Sequence, residues 1–240
     1  MRLLRAHVPA LPATTCLPAR LVLGGEEAAH LGRVLRVRPG TEVELFDGQG
    51  AACLARVEAV HRGEVELLVL GPGRADPALP FALDLAVSPP KGKREQRLVE
   101  GLTELGATRL TPLRLARTET RPAREDEVRR WSLEAAKQCG RNRGLEPLPP
   151  LDLSGLLALA AGHELKLLAD TVEARPLREA LTRPRPASVL VAVGPEGGFT
   201  PEERAALRAG GFSPVGIGPT VLRVETAALA VAAACVVAWA

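Results

Sequence analysis

The sequence predicts an α/β protein: a mostly parallel sheet with helices on both faces, preceded by a small β-rich module. Three observations carry this. From residue 81 onward, strand-type and helix-type segments alternate, as in a parallel sheet covered on both sides. Before residue 70 the segments are short, alternate in polarity and are separated by hairpin signals. Between the two lies GPGRADPALP, residues 71–80, rich in Gly and Pro and the best linker candidate. A chain of 240 residues has room for one or two domains, here expected over 1–72 and 73–240.

In the first module, residues 26–35 read as a short helix. Residues 41–46 alternate as a strand, and Asp47-Gly48-Gln49-Gly50 is a hairpin signal. Residues 51–60 and 64–70 are further strands around a turn at His61-Arg62-Gly63. In the second part, 81–87 reads as a strand and 94–105 as a helix with Leu98, Leu102 and Leu105 on one face. A strand at 108–113 follows, then a helix over about 124–138 and a Pro-rich stretch at 147–150. A helix near 154–161 leads to a strand at 164–169. The last units are strand 188–193, helix 201–209, strand 213–217 and an apolar C-terminal helix from about 225.

Composition narrows the function classes. Apolar content of 46% and charged content of 25% suit an ordinary soluble globular chain. There is no Tyr, and four Phe and two Trp leave few aromatic platforms for stacking bases. Net charge is only +3, but 27 of 31 basic residues are Arg, whose planar forks suit phosphate. Coding bias from a GC-rich genome explains much of that skew. Cys16, Cys53, Cys139 and Cys235 form no CxxC pair, and the four His form no ligand motif, so no metal is expected. Scattered thiols and the lack of an apolar leader point to a cytoplasmic protein. The uncharged run 227–240 is too short to span a bilayer.

The most informative segment is VAVGPEGGFTPEERA, residues 191–205. A strand-type run stops at Gly194-Pro195, a glycine turn follows, and a helix begins with Thr200 as N-cap, Pro201 at its first position and Glu203 closing a capping box. Backbone amides and a helix start thus sit at the end of a buried strand, where α/β proteins bind ligands. Two other strand ends compare with it, LLAD at 167–170 and IGPTVL at 217–222. If these strands are neighbours, the three turns gather into a pocket rich in backbone donors and acceptors. Such a pocket suits a ligand read by hydrogen bonds, such as an adenine. No GxGxxG, GxxxxGK[ST], GxSxG or His–Glu metal motif occurs, which disfavours dinucleotide enzymes, NTPases and hydrolases. In GPTVLRVETAA, residues 218–228, Arg223 and Glu225 are the charges before the last helix. Glu225 suits a helix N-terminus electrostatically, and Arg223 suits either a salt bridge or a phosphate or base at the pocket mouth.

VGPEGGFTPEE together with LRVETAALA resembles the C-terminal signature of bacterial 16S ribosomal RNA uracil-N3 methyltransferases, of the trefoil-knot (SPOUT) class. HLGRVLRVRPGTEVELFDGQG resembles that family's PUA-like barrel, KGKREQRLVEGLTELGATRLTPL its first βαβ unit, and RWSLEAAKQCGRNR its helix and basic turn. The resemblance implies S-adenosylmethionine-dependent methylation of a uridine in 16S rRNA of the small subunit. It also implies a knotted α/β domain, a PUA-like RNA-binding barrel and a homodimer, with no membrane and no metal. The cofactor would meet Leu168, Ala169, Gly194, Pro195, Glu196, Gly197, Ile217, Gly218, Val221, Leu222 and Thr226. Arg223 would stabilise the uracil anion, and Glu196 and Glu225 are the nearest carboxylates for a base. RNA docking would use Arg33, Arg36, Lys91, Lys93, Arg94, Arg97, Arg141 and Arg143. Two positions depart from the family: Thr220 and Gly101 stand where Arg and Lys are usual. A ribose 2′-O-methyltransferase, a non-catalytic RNA-binding protein and a nucleotide-dependent metabolic enzyme with no RNA partner are the alternatives.

Overall fold

The computed structural model describes residues 3–172 and 174–240. It divides into two compact units, Met1–Pro77 with Ala136–Gly144, and Ala78–Ala135 with Leu145–Ala240.

The first unit is a five-stranded sheet. In it β1 (Leu4–His7), β2 (Ala19–Leu23), β3 (Glu42–Phe46), β4 (Ala52–His61) and β5 (Glu64–Pro72) take the order β1-β3-β4-β5-β2. Only β1 and β3 run parallel; the other pairs are antiparallel. Inward positions alternate along the strands and close on Leu31, Val43, Leu45, Val57, Val65, Leu67 and Val69. The turn between β3 and β4 forms because the Asp47 carboxylate accepts three amides, from Gln49 at 2.7 Å and from Gly50 and Ala51 at 3.0 Å. The helix expected over 26–35 is split into α1 (Gly25–Ala29) and a wider π-type turn at His30–Val34. Sequence patterning gives no sign of β1 and β2, which flank a stretch interrupted by Pro9, Pro12 and Pro18. Both are strands because β3 and β5 pair with them. The expected linker also begins later, since Gly71 and Pro72 still belong to β5.

The 136–144 segment is tied to this sheet by a buried arginine. Arg5 Nε donates to Glu44 Oε2 at 2.7 Å, and Nη1 donates to the carbonyls of Ala136 and Arg141 at 2.9 and 2.8 Å. Its Nη2 donates to Asn142 Oδ1, and its guanidinium lies 4.4 Å from the Phe46 ring centroid.

The second unit is a seven-stranded, wholly parallel sheet of order β10-β12-β9-β11-β6-β7-β8. Its strands are β6 (Ala82–Val87), β7 (Arg109–Pro112), β8 (Glu146–Pro147), β9 (Leu165–Ala169), β10 (Arg175–Pro176), β11 (Ser188–Val193) and β12 (Ser213–Gly216). The last strand, β12, is inserted between β9 and β10 instead of being added at an edge. SVLVAV in β11 is buried on both faces. Val189, Val191 and Val193 pack toward α2 (Arg94–Glu104) and α7 (Val224–Trp239), beside Leu98, Leu102, Val231 and Ala232. Leu190 and Ala192 face the opposite cluster, with Leu156 of α4 (Leu153–Ala160) and Leu207 of α6 (Pro201–Ala209). The remaining helices are α3 (Glu125–Cys139) and the single turn α5 (Leu177–Ala180).

Gly101 finds its reason here. A Cβ at that position would stand 2.6 Å from Leu229 Cδ2, so glycine lets α2 lie close against α7.

Candidate active site

Register places the three turns side by side. Ala169, the last residue of β9, is the cross-strand partner of both Val193 and Val215. The ends of β9, β11 and β12 are therefore level at the carboxyl edge of the sheet, where open α/β folds bind ligands. They enclose a cavity of about 310 Å³, within the range of small-molecule sites. Its walls are Ala169 to Thr171, the turn from Val193 to Phe199, and Val215, Ile217, Gly218, Thr220, Val221 and Leu222, with Arg204, Val224 and Ala227 closing it.

Glycines keep the turn narrow. A Cβ on Gly194 would sit 2.8 Å from the Phe199 ring, so that ring packs directly on bare main chain. Gly198 has φ +70°, which favours glycine. Gly198 N donates to the Pro195 carbonyl at 2.8 Å. The capping box forms as the sequence implies: Thr200 N donates to Glu203 Oε2 at 2.8 Å, and Glu203 N to Thr200 Oγ1 at 3.2 Å. Glu203 Oε1 also accepts from Ala116 N at 2.8 Å. The start of α6 is thus occupied by its own side chains and is not an open anion site, which corrects one part of the sequence expectation.

Two carboxylates stand on the cavity wall, each with its own arginine. Asp170 Oδ2 accepts from Arg204 Nε at 2.6 Å. Glu196 Oε1 accepts from Arg94 Nη1 at 3.0 Å. The same Arg94 nitrogen lies 4.0 Å from Glu225 Oε2, which is buried and has no hydrogen bond among the described residues. Arg117 Nη1 donates to the Gly197 carbonyl at 2.7 Å and braces the turn from outside.

Of the residues expected at the cofactor, Ala169, Gly194 to Gly197, Ile217, Gly218, Val221 and Leu222 line this cavity. Leu168 and Thr226 do not. Leu168 is fully buried in the core against the opposite helices, because strand alternation turns it away from the edge turn. Thr226 is exposed on α7, while Val224 and Ala227 face the cavity. Arg223 is the exposed N-cap residue of α7, between wall residues Leu222 and Val224.

The expected RNA contacts divide into exposed and engaged groups. Arg33, Arg36, Lys93, Arg97 and Arg143 are exposed. Lys91 is exposed but pairs with Glu119 at 2.9 Å, and Arg94 is committed to Glu196. Arg141 is a correction: it is 5% exposed, and burial pushes its guanidinium pKa down. The CGRNRG turn is drawn into the first unit by Arg5 and by Asp76, whose Oδ1 accepts from Asn142 N at 2.6 Å. Asp170, Arg204 and Arg117 belong to the site without having been singled out. Only Asp170 carried a signal, standing at the end of a strand beside the compared turns.

A parallel α/β domain with this backbone-rich edge cavity, together with a small β-sheet unit, fits an RNA methyltransferase domain accompanied by a PUA domain, and the family models agree. A family model described as RNA methyltransferase domain matches residues 77–236, and one described as RNA methyltransferase PUA domain matches 23–70. The chain belongs to the family of ribosomal RNA small subunit methyltransferase E. It is 34% identical to the protein of that name from Synechocystis over 88% of this chain and 71% of that one. The Mycobacterium tuberculosis protein is also 34% identical, over 92% of this chain and 87% of its own length. Among solved structures, the Neisseria gonorrhoeae ribosomal RNA small subunit methyltransferase E bound to S-adenosyl methionine superposes with a TM-score of 0.89 at 30% identity. That match covers 99% of this chain and 98% of the other. A Legionella pneumophila putative methyltransferase in complex with SAM matches with a TM-score of 0.87 at 29% identity, covering 98% of this chain and 97% of that one.

Proposed function

We propose that this protein transfers the methyl group of S-adenosylmethionine to N3 of a uridine in 16S ribosomal RNA of the small ribosomal subunit. The observation that carries this reading is the convergence of three level strand ends on one cavity, in a chain of this family. The walls suit the cofactor. Ile217, Leu222, Val224 and Ala227 offer apolar surface for adenine, and Gly194, Gly197 and Gly218 bare main chain.

When bound, S-adenosylmethionine supplies a methyl carbon already activated as an electrophile, so the protein's task is alignment. The uracil N3 proton must leave before that nitrogen attacks. Arg223, exposed beside the wall, offers its guanidinium to the uracil carbonyl oxygens and lowers the cost of that deprotonation. Glu196 is the carboxylate on the wall, and Glu225 stands behind Arg94. The exposed cations Arg33, Arg36, Lys93, Arg97 and Arg143 contact RNA phosphates, with the first unit, residues 136–144 included, serving RNA and the second carrying the methyl transfer. The insertion of β12 inside the sheet supports a knotted chain path. Val237, 87% exposed on α7, supports a homodimer with α7 at its interface.

The test is nucleoside mass spectrometry of small-subunit RNA after incubation with the protein and S-adenosylmethionine. N3-methyluridine is the expected product. A 2′-O-methyl nucleoside would move the reading to the ribose enzyme, and no methylated nucleoside from either naked RNA or small subunits would end it.

A further inference from the structure

We propose that the loop between β7 and α3, residues 113–124, is the track along which the RNA strand reaches the cofactor cavity; this rests on the methyltransferase reading above. A second cavity, of about 580 Å³, shares Pro195, Glu196 and Gly197 with the first. One turn of backbone therefore separates the two. The second cavity is otherwise lined by Pro89, Lys91 and the loop from Ala116 to Thr120. A third cavity, of about 690 Å³, shares Thr118, Glu119 and Thr120 with the second and continues past Arg114 and Arg121. The second and third cavities thus adjoin along the loop, and the second adjoins the cofactor turn.

Charge selects the occupant. Both carboxylates of the second cavity are already answered, Glu196 by Arg94 and Glu119 by Lys91. Arg114, Arg117 and Arg121 remain. All three are exposed, and Arg117 has given one nitrogen to a neutral carbonyl. Among the described residues neither Arg114 nor Arg121 is held in an ion pair. Three guanidinium groups spaced along the loop's adjoining cavities, with the Thr120 hydroxyl between them, suit the phosphates and ribose hydroxyls of an RNA backbone. No aromatic side chain lines the second or third cavity, so the strand is held by its backbone and not by stacking. N3 lies on the Watson–Crick edge of uracil, so the target nucleotide must leave its pair before methylation. Adjoining cavities that end at the cofactor turn deliver such a single strand.

The experiment compares wild type, the double variant R114A/R121A, its charge-keeping counterpart R114K/R121K, and R129A as a control on the exposed face of α3. The probes are S-adenosylmethionine, protein-free small-subunit RNA and small subunits lacking the modification. Expected for R114A/R121A is a rise in RNA KM of about tenfold, with the slope of log K against log salt shallower by about 1.4. Its calorimetric Kd for S-adenosylmethionine stays within about twofold of wild type, because neither residue lines the first cavity. The lysine variant recovers the salt slope, and R129A behaves as wild type. If wild type methylates RNA while R114A/R121A keeps the wild-type KM and salt slope, the track is wrong and the methyltransferase reading survives. If wild type binds no cofactor and methylates no RNA, that reading falls and the track falls with it.

Discussion

At the scale of single residues, Gly194 and Gly218 line the same cavity for different physical reasons. Gly194 is required by packing, since its missing Cβ leaves room for Phe199. Around Gly218 a Cβ would meet nothing within 4 Å. Gly194→Ala should therefore lower thermal stability, by about 1–3 kcal/mol of strain, and weaken cofactor binding as the turn shifts. Gly218→Trp should leave the melting temperature near wild type and abolish binding by filling the cavity. Differential scanning calorimetry and titration with S-adenosylmethionine separate the two; equal loss of stability in both variants would refute the distinction. Arg223 is tested by kinetics. If its guanidinium stabilises charge that develops on the uracil, Arg223→Ala should lower kcat about 100-fold or more with little change in cofactor affinity. A normal kcat would remove Arg223 from the chemistry.

At the scale of elements, the parallel sheet is fastened at its amino end by a buried polar cluster. Asp84 of β6 accepts from Arg109 Nε of β7 at 2.8 Å, and its Oδ2 lies 2.8 Å from His163 Nε2, just before β9. Burial pushes the Asp84 carboxyl up, but the bonds from His163 and Arg109 outweigh it and hold it below the usual carboxylate range. A depressed folded pKa stabilises fully above the unfolded value, near 3.9, and loses that contribution as pH falls through the lower folded value. Asp84→Asn should therefore cost about 3 kcal/mol at pH 7, and the gap from wild type should narrow as pH falls below the unfolded value and on through the lower folded one. Urea melts across that range read it directly; a gap independent of pH would mean that the carboxylate charge is not what matters. Elements with long periodic cores, such as SVLVAV in β11 and the Leu98–Leu102 face of α2, were legible in the sequence because local pattern and tertiary burial agree. The two-residue strands β8 and β10 were not, since register alone makes them strands. The site was legible where glycine and proline mark a turn. It was silent at Arg117 and Arg204, whose roles depend on which partner the fold brings near.

At the scale of the whole molecule, the chain does not divide at its Gly/Pro-rich stretch into two continuous pieces. The first unit is completed by residues 136–144, which return to it after α3 begins in the second. The reason is electrostatic. Arg5 is 4% exposed, and three of its bonds go to the carbonyls of Ala136 and Arg141 and the side chain of Asn142. Asp76 and the Arg74 carbonyl take the Asn142 amides in turn, at 2.6 and 2.8 Å. Without that segment Arg5 keeps only Glu44 and the Phe46 ring, and each bond to its charged guanidinium that is lost to water gives up about 1.5–3 kcal/mol. A fragment of residues 1–77 should consequently melt well below the corresponding transition of the full chain, or fail to fold cooperatively. A peptide of residues 136–144 added in trans should raise its melting temperature in a saturable way. An Asn142→Ala peptide should do so more weakly, because it loses both the acceptor for Arg5 and the donor to Arg74. Circular dichroism melts of the fragment with each peptide decide the matter. A fragment as stable alone as within the full chain would show that the sheet core outweighs the arginine, and that the returning segment is held by the first unit without completing it.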